Sequence, residues 1–200
     1  MFQKNLLKGR RILITGGGTG LGKAMSERVL ELGATVYICG RRGTILEATS
    51  QELTEKTGGT IHPLVCDIRF PEAIEEMLDE IWLSGPLDSL INNAAGNFIS
   101  KSEDLSARGF DAISSIVMNG TFYVTRSCGA RWISNGDSGN IVSILATYIW
   151  TGSAYLTPSA MAKAGVSAMT QSLAVEWGNR GIRLNAIAPG PFPTKGAWDR

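Results

Sequence analysis

The sequence predicts an α/β fold: a doubly wound parallel sheet between two layers of helices, three layers α/β/α in a single domain. Three observations carry this prediction. Six short runs rich in β-branched residues recur along the chain, each of a length for one buried strand. Longer stretches with helical spacing separate them, and strict alternation of strand and helix implies parallel pairing with helices on both faces. A glycine cluster follows the first run and opens directly into a helix.

The elements follow in order. RILIT (11–15) reads as the first strand, and the helix over 21–32 is closed by Gly33. ATVYIC (34–39) is the second strand, followed by a helix over 44–56 that Gly58 and Gly59 close. IHPLVC (61–66) is the third, and Pro71 opens the helix over 71–83. LDSLINN (87–93) is the fourth, with one long helix expected over 110–132. GNIVSIL (139–145) is the fifth, ahead of a helix over 158–178 closed by Gly178 and Gly181. GIRLNAIAP (181–189) is the sixth. In an open sheet of this kind the ligand binds beyond the carboxyl ends of the strands, so function is sought at strand ends.

Composition bounds the function. The 200 residues, 44% of them hydrophobic, suffice for one full core. Nineteen Lys and Arg nearly balance eighteen Asp and Glu, and no basic run appears, which argues against nucleic acid. Cys39, Cys66 and Cys128 show no metal-type spacing and read as core thiols in a reducing compartment, with no metal site expected. His62, the only histidine, reads as a surface residue of a loop or strand end, which removes histidine-based triads. Residues 1–11 hold no long apolar run and no stretch reaches membrane-spanning length, so no membrane partner is expected.

The nucleotide site comes next. TGGGTGLG (15–22) lies between a strand and a helix, and Gly16, Gly20 and Gly22 allow a tight turn and close backbone approach. The helix amino end offers N–H groups and a positive dipole to a pyrophosphate, so Gly18, Thr19 and Leu21 are counted with the cofactor residues. At the end of the second strand, where an acid would bind the ribose of NAD, stand Gly40, Arg41 and Arg42. An arginine pair there favours the 2′-phosphate of NADP(H); the alternative is two solvated arginines entering a helix. Asp67, with Ile68, ends the third strand where an acceptor could meet an adenine amino group. Asn93, Ala94, Ala95 and Gly96 of NNAAG (92–96) end the fourth, small enough to let backbone lie against a cofactor.

With TGGGTGLG, CDI, NNAAG, the lysine of SAMAK and APGP in this order, the chain resembles the short-chain dehydrogenase/reductase family over essentially its whole length. The resemblance implies a Rossmann-type fold, NADP(H) as cofactor, Lys163 on the nicotinamide ribose hydroxyls, and Pro189, Gly190, Pro191 and Phe192 at the nicotinamide. The catalytic set departs from the family pattern. The Tyr-x-x-x-Lys tyrosine falls at Ser159, the fifth-strand serine at Ala146 and the helix asparagine at Val117. A serine hydroxyl is far less acidic than a phenol, so ordinary alcohol oxidation is expected to be poor.

One branch of the family is similar in these very departures: the NADPH-dependent 2,4-dienoyl-CoA reductases of unsaturated fatty acid β-oxidation. The matching stretches are NNAAGNFIS, IVMNGTF, ATYIW, PSAMAKAGV and PGPFPTKGAW. That resemblance implies Tyr148 as the relocated acid, Asn97 as the second group on the thioester, and Ser159 with Lys163 on the cofactor side. It also implies acyl-CoA contacts at Arg69, Phe98, Ser106 and Arg200, more weakly Lys195, and a homotetramer. Read from residues alone, Tyr148 is an aromatic packing beside Ile149 and Trp150, Tyr155 is a rival donor, and Asn97 is a loop cap. The other functional readings are a trans-2-enoyl-CoA reductase and a non-catalytic NADP-binding protein. Family members usually continue past the position of Arg200, so residues 1–200 read as a single NADP-binding domain that stops before the last strand. Bacterial cytosol is the expected compartment, with an organelle matrix as the eukaryotic counterpart.

Overall fold

The computed structural model describes residues 2–190 and residue 192. Its strands are β1 (Arg11–Thr15), β2 (Thr35–Gly40), β3 (Ile61–Val65), β4 (Ser89–Asn92), β5 (Gly139–Ile144) and β6 (Ile182–Ile187). The helices are α1 (Gly20–Glu31), α2 (Gly43–Thr57), α3 (Pro71–Trp82), α4 (Ala107–Ser114), α5 (Thr121–Asn135), α6 (Tyr148–Thr151) and α7 (Thr157–Trp177). The six strands form one parallel sheet in the order β3-β2-β1-β4-β5-β6. The predicted fold class holds, and most element boundaries fall within two residues of expectation. Because the chain runs outward from β1 to β3 and then resumes at β4 on the other side of β1, a crevice opens between the carboxyl ends of β1 and β4.

Alternation along β1 divides the core. Ile12 and Ile14 face a cluster with Leu30, Val36, Ile38, Leu46 and Leu53, under α1 and α2. Leu13 faces the opposite cluster, built on Leu78, Leu90, Val124, Trp132 and Trp177 under α3, α5 and the end of α7. Each fully buried Leu or Ile contributes about 1.5–3 kcal/mol by leaving water, which holds the strand ends rigid. Trp132 has no exposed surface, and its indole N–H donates to the Leu87 carbonyl at 2.7 Å. The three cysteines are buried in the second cluster, where desolvation pushes the Cys66 thiol up to about 11 and the Cys128 thiol up to about 12. They are core residues, as expected. His62 is exposed on β3, its ring stacked on Tyr37 at 4.9 Å.

One expectation is corrected. The single helix over 110–132 is instead α4, a π-helical segment Ser115–Gly120, and α5. The wider turn rotates the apolar stripe: Ile113 before it and Val117 within it meet Ala162 of α7, while Val124 and Cys128 after it join the core under the sheet. Gly178 and Gly181 end α7 as expected: Gly178 caps it with helical dihedrals, and after a 3₁₀ turn Gly181 at φ +77° makes the break. No helix among the described residues is long and apolar enough to cross a membrane.

Candidate active site

The glycine turn is shaped by the strand beside it. Gly16 sits at φ +67°, and a Cβ there would come within 2.9 Å of the Ala94 Cα. A Cβ on Gly22 would stand 2.2 Å from the Gly16 carbonyl oxygen, so only glycine lets α1 begin this close to the turn. Thr19 precedes α1 without capping it through its side chain, and no acid lies in the first turn, which leaves that end positive and suited to a pyrophosphate. Asn93 fastens the crevice: its amide donates to the Thr15 and Gly16 carbonyls at 3.0 and 3.2 Å. The Thr15 hydroxyl oxygen accepts from the backbone N–H groups of Asn93 and Ala94, both at 3.0 Å. Thr15 was not among the predicted site residues, and its one signal is a hydroxyl ending β1 just before the glycines.

Arg41 and Arg42 are exposed where β2 gives way to α2, and neither guanidinium forms an ion pair among the described residues. Asp67 lies just past β3 and is held by Arg69, with an Nη2–Oδ2 distance of 2.5 Å. That hydrogen-bonded cation keeps the Asp67 carboxyl below the usual carboxylate range. Ile68 is buried between them, and Gly96 follows the exposed Ala95 beside the Ile116 side chain. Pro189 is half-buried after β6, while Gly190 and Phe192 are exposed. This set fits a phosphorylated dinucleotide: an open helix terminus, small residues along the crevice, and two unpaired arginines at its rim. Pro191, Lys195 and Arg200 lie outside the described residues.

On the other side of β4 the structure brings three predicted residues together. Ser159 and Lys163 lie on successive turns of α7 and are 3% and 7% exposed. The Tyr148 phenol, carried on the first residue of α6, stands 2.7 Å from Ser159 Oγ. Lys163 Nζ donates to the carbonyl of Ile144, the last residue of β5. Burial pulls the Lys163 ammonium down to about 8, from an ordinary 10.5. The Ile144 carbonyl has no sequence signature, since any residue offers one. Val117 is fully buried, and Tyr155, the rival phenol, is 51% exposed at φ +65°.

Asn97 lies on the loop after β4, where its carboxamide oxygen accepts the Phe98 N–H at 3.0 Å. That loop is tied to the start of α7 and the segment before it: Ser100 N–H donates to the Tyr155 carbonyl, and the Ser102 and Thr157 hydroxyls are 2.9 Å apart. These bonds tie the two walls of the site together. Phe98 rests against Gly109 of α4, and Ser106 caps that helix by accepting the Gly109 N–H at 3.1 Å. Ser106 thus has a structural partner in addition to the acyl role implied for it.

The family model for short chain dehydrogenases matches residues 10–200. A Caenorhabditis elegans protein named as a probable 2,4-dienoyl-CoA reductase, (3E)-enoyl-CoA-producing, is 47% identical over 100% of this chain and 65% of its own. A Bacillus subtilis protein named as a probable 2,4-dienoyl-CoA reductase, (2E)-enoyl-CoA-producing, is 42% identical over 96% of this chain and 76% of its own. A crystal structure of a short chain dehydrogenase from Bacillus anthracis superposes with a TM-score of 0.89 at 47% identity, covering 92% of this chain and 75% of that one. A structure from Beutenbergia cavernae with NADP bound at low occupancy gives a TM-score of 0.88 at 28% identity, covering 96% and 76%. The chain thus spans about two thirds of the length of the C. elegans relative.

Proposed function

The chain belongs to the short chain dehydrogenase family, and from that premise we propose that it is an NADPH-dependent oxidoreductase reducing 2,4-dienoyl-CoA thioesters in the oxidation of unsaturated acyl chains. One observation carries the reading: a phenol from α6, not from α7, stands 2.7 Å from Ser159 Oγ with Lys163 one turn on. Residues 1–200 act as one NADP-binding domain. The turn over 15–22, Arg41, Arg42, Asp67, Ile68, the segment 93–96 and Lys163 hold the cofactor, with Pro189, Gly190 and Phe192 at the nicotinamide end.

NADPH, when bound, supplies a hydride, which a dienoyl thioester takes at C5. Negative charge then develops at the thioester oxygen, several bonds away, so proton donors must sit further along the substrate than in carbonyl reduction. Tyr148 and Asn97 hydrogen-bond that oxygen, Asn97 donating through its Nδ2 while its Oδ1 accepts the Phe98 N–H. Tyr148 then delivers a proton to Cα, leaving a 3-enoyl thioester. Ser159 fixes the direction of the phenol, and the Lys163 ammonium holds the ribose side. Phe98, Arg69 and Ser106 line the path of the acyl-CoA.

A second outcome is favoured by the B. subtilis relative, whose name specifies a (2E)-enoyl product. The same dienolate gives that product when the proton goes to C4 instead of Cα. NADPH oxidation with 2,4-hexadienoyl-CoA, run beside crotonyl-CoA and a 3-ketoacyl-CoA, tests the proposal. Selective turnover of the dienoyl ester is expected, and the position of the remaining double bond in the product separates the two outcomes. Reduction of the ketoacyl ester alone, or of none, overturns the reading. The relatives named as bacterial and peroxisomal forms leave the compartment between bacterial cytosol and organelle matrix, and a homotetramer is the assembly we expect.

A further inference from the structure

Three charges alternate along the rim of the cofactor crevice: Arg41 after β2, then Asp67 and Arg69 after β3. The Asp67–Arg69 pair is built by the local chain. Asp67 Oδ1 accepts the Arg69 backbone N–H at 3.1 Å and its Nε at 2.9 Å, while Oδ2 accepts Nε at 3.0 Å and Nη2 at 2.5 Å. The guanidinium also lies over the Phe70 ring, 5.6 Å from its centre. Arg41 is close enough to act on the Asp67 carboxylate as well, yet its own side chain forms no ion pair among the described residues. Asp67 therefore has two cations within reach and is bonded to one.

An unpaired carboxylate at this place would oppose a phosphorylated cofactor in two ways. It would draw Arg41 away from the rim, and it would repel a 2′-phosphate approaching the arginine pair. Arg69, bonded to Asp67 through Nε and Nη2, offsets both effects. We propose that Arg69 is a positioning residue that sets the preference for a 2′-phosphorylated nicotinamide cofactor by neutralising Asp67 and leaving Arg41 available. This rests on the NADPH reading above and deepens it. Any contact of Arg69 with a CoA phosphate would be read in thioester affinity, not in the choice between cofactors.

The test uses binding alone. Dissociation constants for NADPH and NADH are measured by fluorescence titration for the purified protein and for Arg69→Ala, Arg69→Lys, Asp67→Asn and the double variant Asp67→Asn/Arg69→Ala. The adenine is common to both cofactors, so the ratio isolates the 2′-phosphate. Arg69→Ala is expected to lower the preference for NADPH roughly three- to tenfold, since a part-exposed charge acts at a distance through water. Arg69→Lys keeps most of the preference. In the Asp67→Asn background, Arg69→Ala changes nothing. An unchanged ratio in Arg69→Ala, or the same loss with Asp67 already neutral, overturns the inference while leaving the NADPH reading in place. Equal binding of both cofactors by the unaltered protein overturns the NADPH reading, and the inference with it.

Discussion

The phenolic oxygen of Tyr148 lies 2.7 Å from Ser159 Oγ, although the two residues are 11 positions apart. The phenol arrives from the short helix α6, and the serine stands where the family's tyrosine ordinarily begins its Tyr-x-x-x-Lys spacing. A hydroxyl at 159 that can accept from or donate to Tyr148 gives the relocated phenol a fixed direction, at an O–H···O distance near the optimum.

Tyr148→Phe keeps the ring and removes the hydrogen bond. Turnover of 2,4-hexadienoyl-CoA is expected to fall about a hundred- to a thousandfold, the usual loss of one oxyanion donor. NADPH affinity should be unaltered. Ser159→Ala should cost less, about tenfold, because it frees the direction of the phenol without removing it. Steady-state kcat and KM for both variants, beside NADPH titration, check this; full activity in Tyr148→Phe would remove Tyr148 from the mechanism.

Lys163 gives a stability prediction with a definite sign. Its ammonium titrates near 8 in the folded chain and near 10.5 when exposed, so between these values the unfolded chain binds more protons and stability rises with pH. Below about pH 8 both states are charged and burial carries its full cost. Lys163→Met should therefore be more stable than the unaltered protein at pH 7, by roughly 1–3 kcal/mol, with the gap closing toward pH 10. Urea unfolding across that range measures it; a gap that widens with pH would reverse the argument.

The Arg41→Ala/Arg42→Ala double variant should weaken NADPH binding about ten- to a hundredfold, since each charge-assisted hydrogen bond to phosphate contributes about 1.5–3 kcal/mol before solvent screening. NADH binding should change by less than about threefold, as surface charge at this distance is screened. Titration of both cofactors at fixed ionic strength decides it.

Thr15→Val keeps the shape of a buried residue and removes the oxygen that accepts two N–H groups, those of Asn93 and Ala94. Leaving two donors unpaired should destabilise the chain by about 1–3 kcal/mol. The chemical-denaturation midpoint reports the loss, and reduced cofactor affinity should accompany it because the crevice is no longer fastened.

Gly22→Ala places a methyl 2.2 Å from the Gly16 carbonyl oxygen, a backbone atom that cannot swing aside. Either α1 or the turn must move, with an expected cost above about 2 kcal/mol and loss of NADPH binding. Retained affinity measured by calorimetry would show that the turn adapts.

The layered α/β architecture, the parallel sheet, the glycine turn and the pairing of Ser159 with Lys163 were legible in the sequence. Each depends on local chemistry: alternating apolar runs, a glycine where a helix starts, two residues four apart on one helix. The split of 110–132 into α4, a π segment and α5 was not legible, because the choice between α and π turns depends on which neighbours the apolar stripe meets, and Ala162 is distant in sequence. The same limit applied to Tyr148, which periodicity alone cast as a packing aromatic, and to the Asp67 carboxylate, whose bond to Arg69 needs the turn after β3 to close. Sequence by itself determined which chemical groups the chain carries and the order in which strands and helices form. Only the tertiary structure decided which hydroxyl meets which, because those distances are set by how α6, α7 and β5 pack together and not by their separation along the chain.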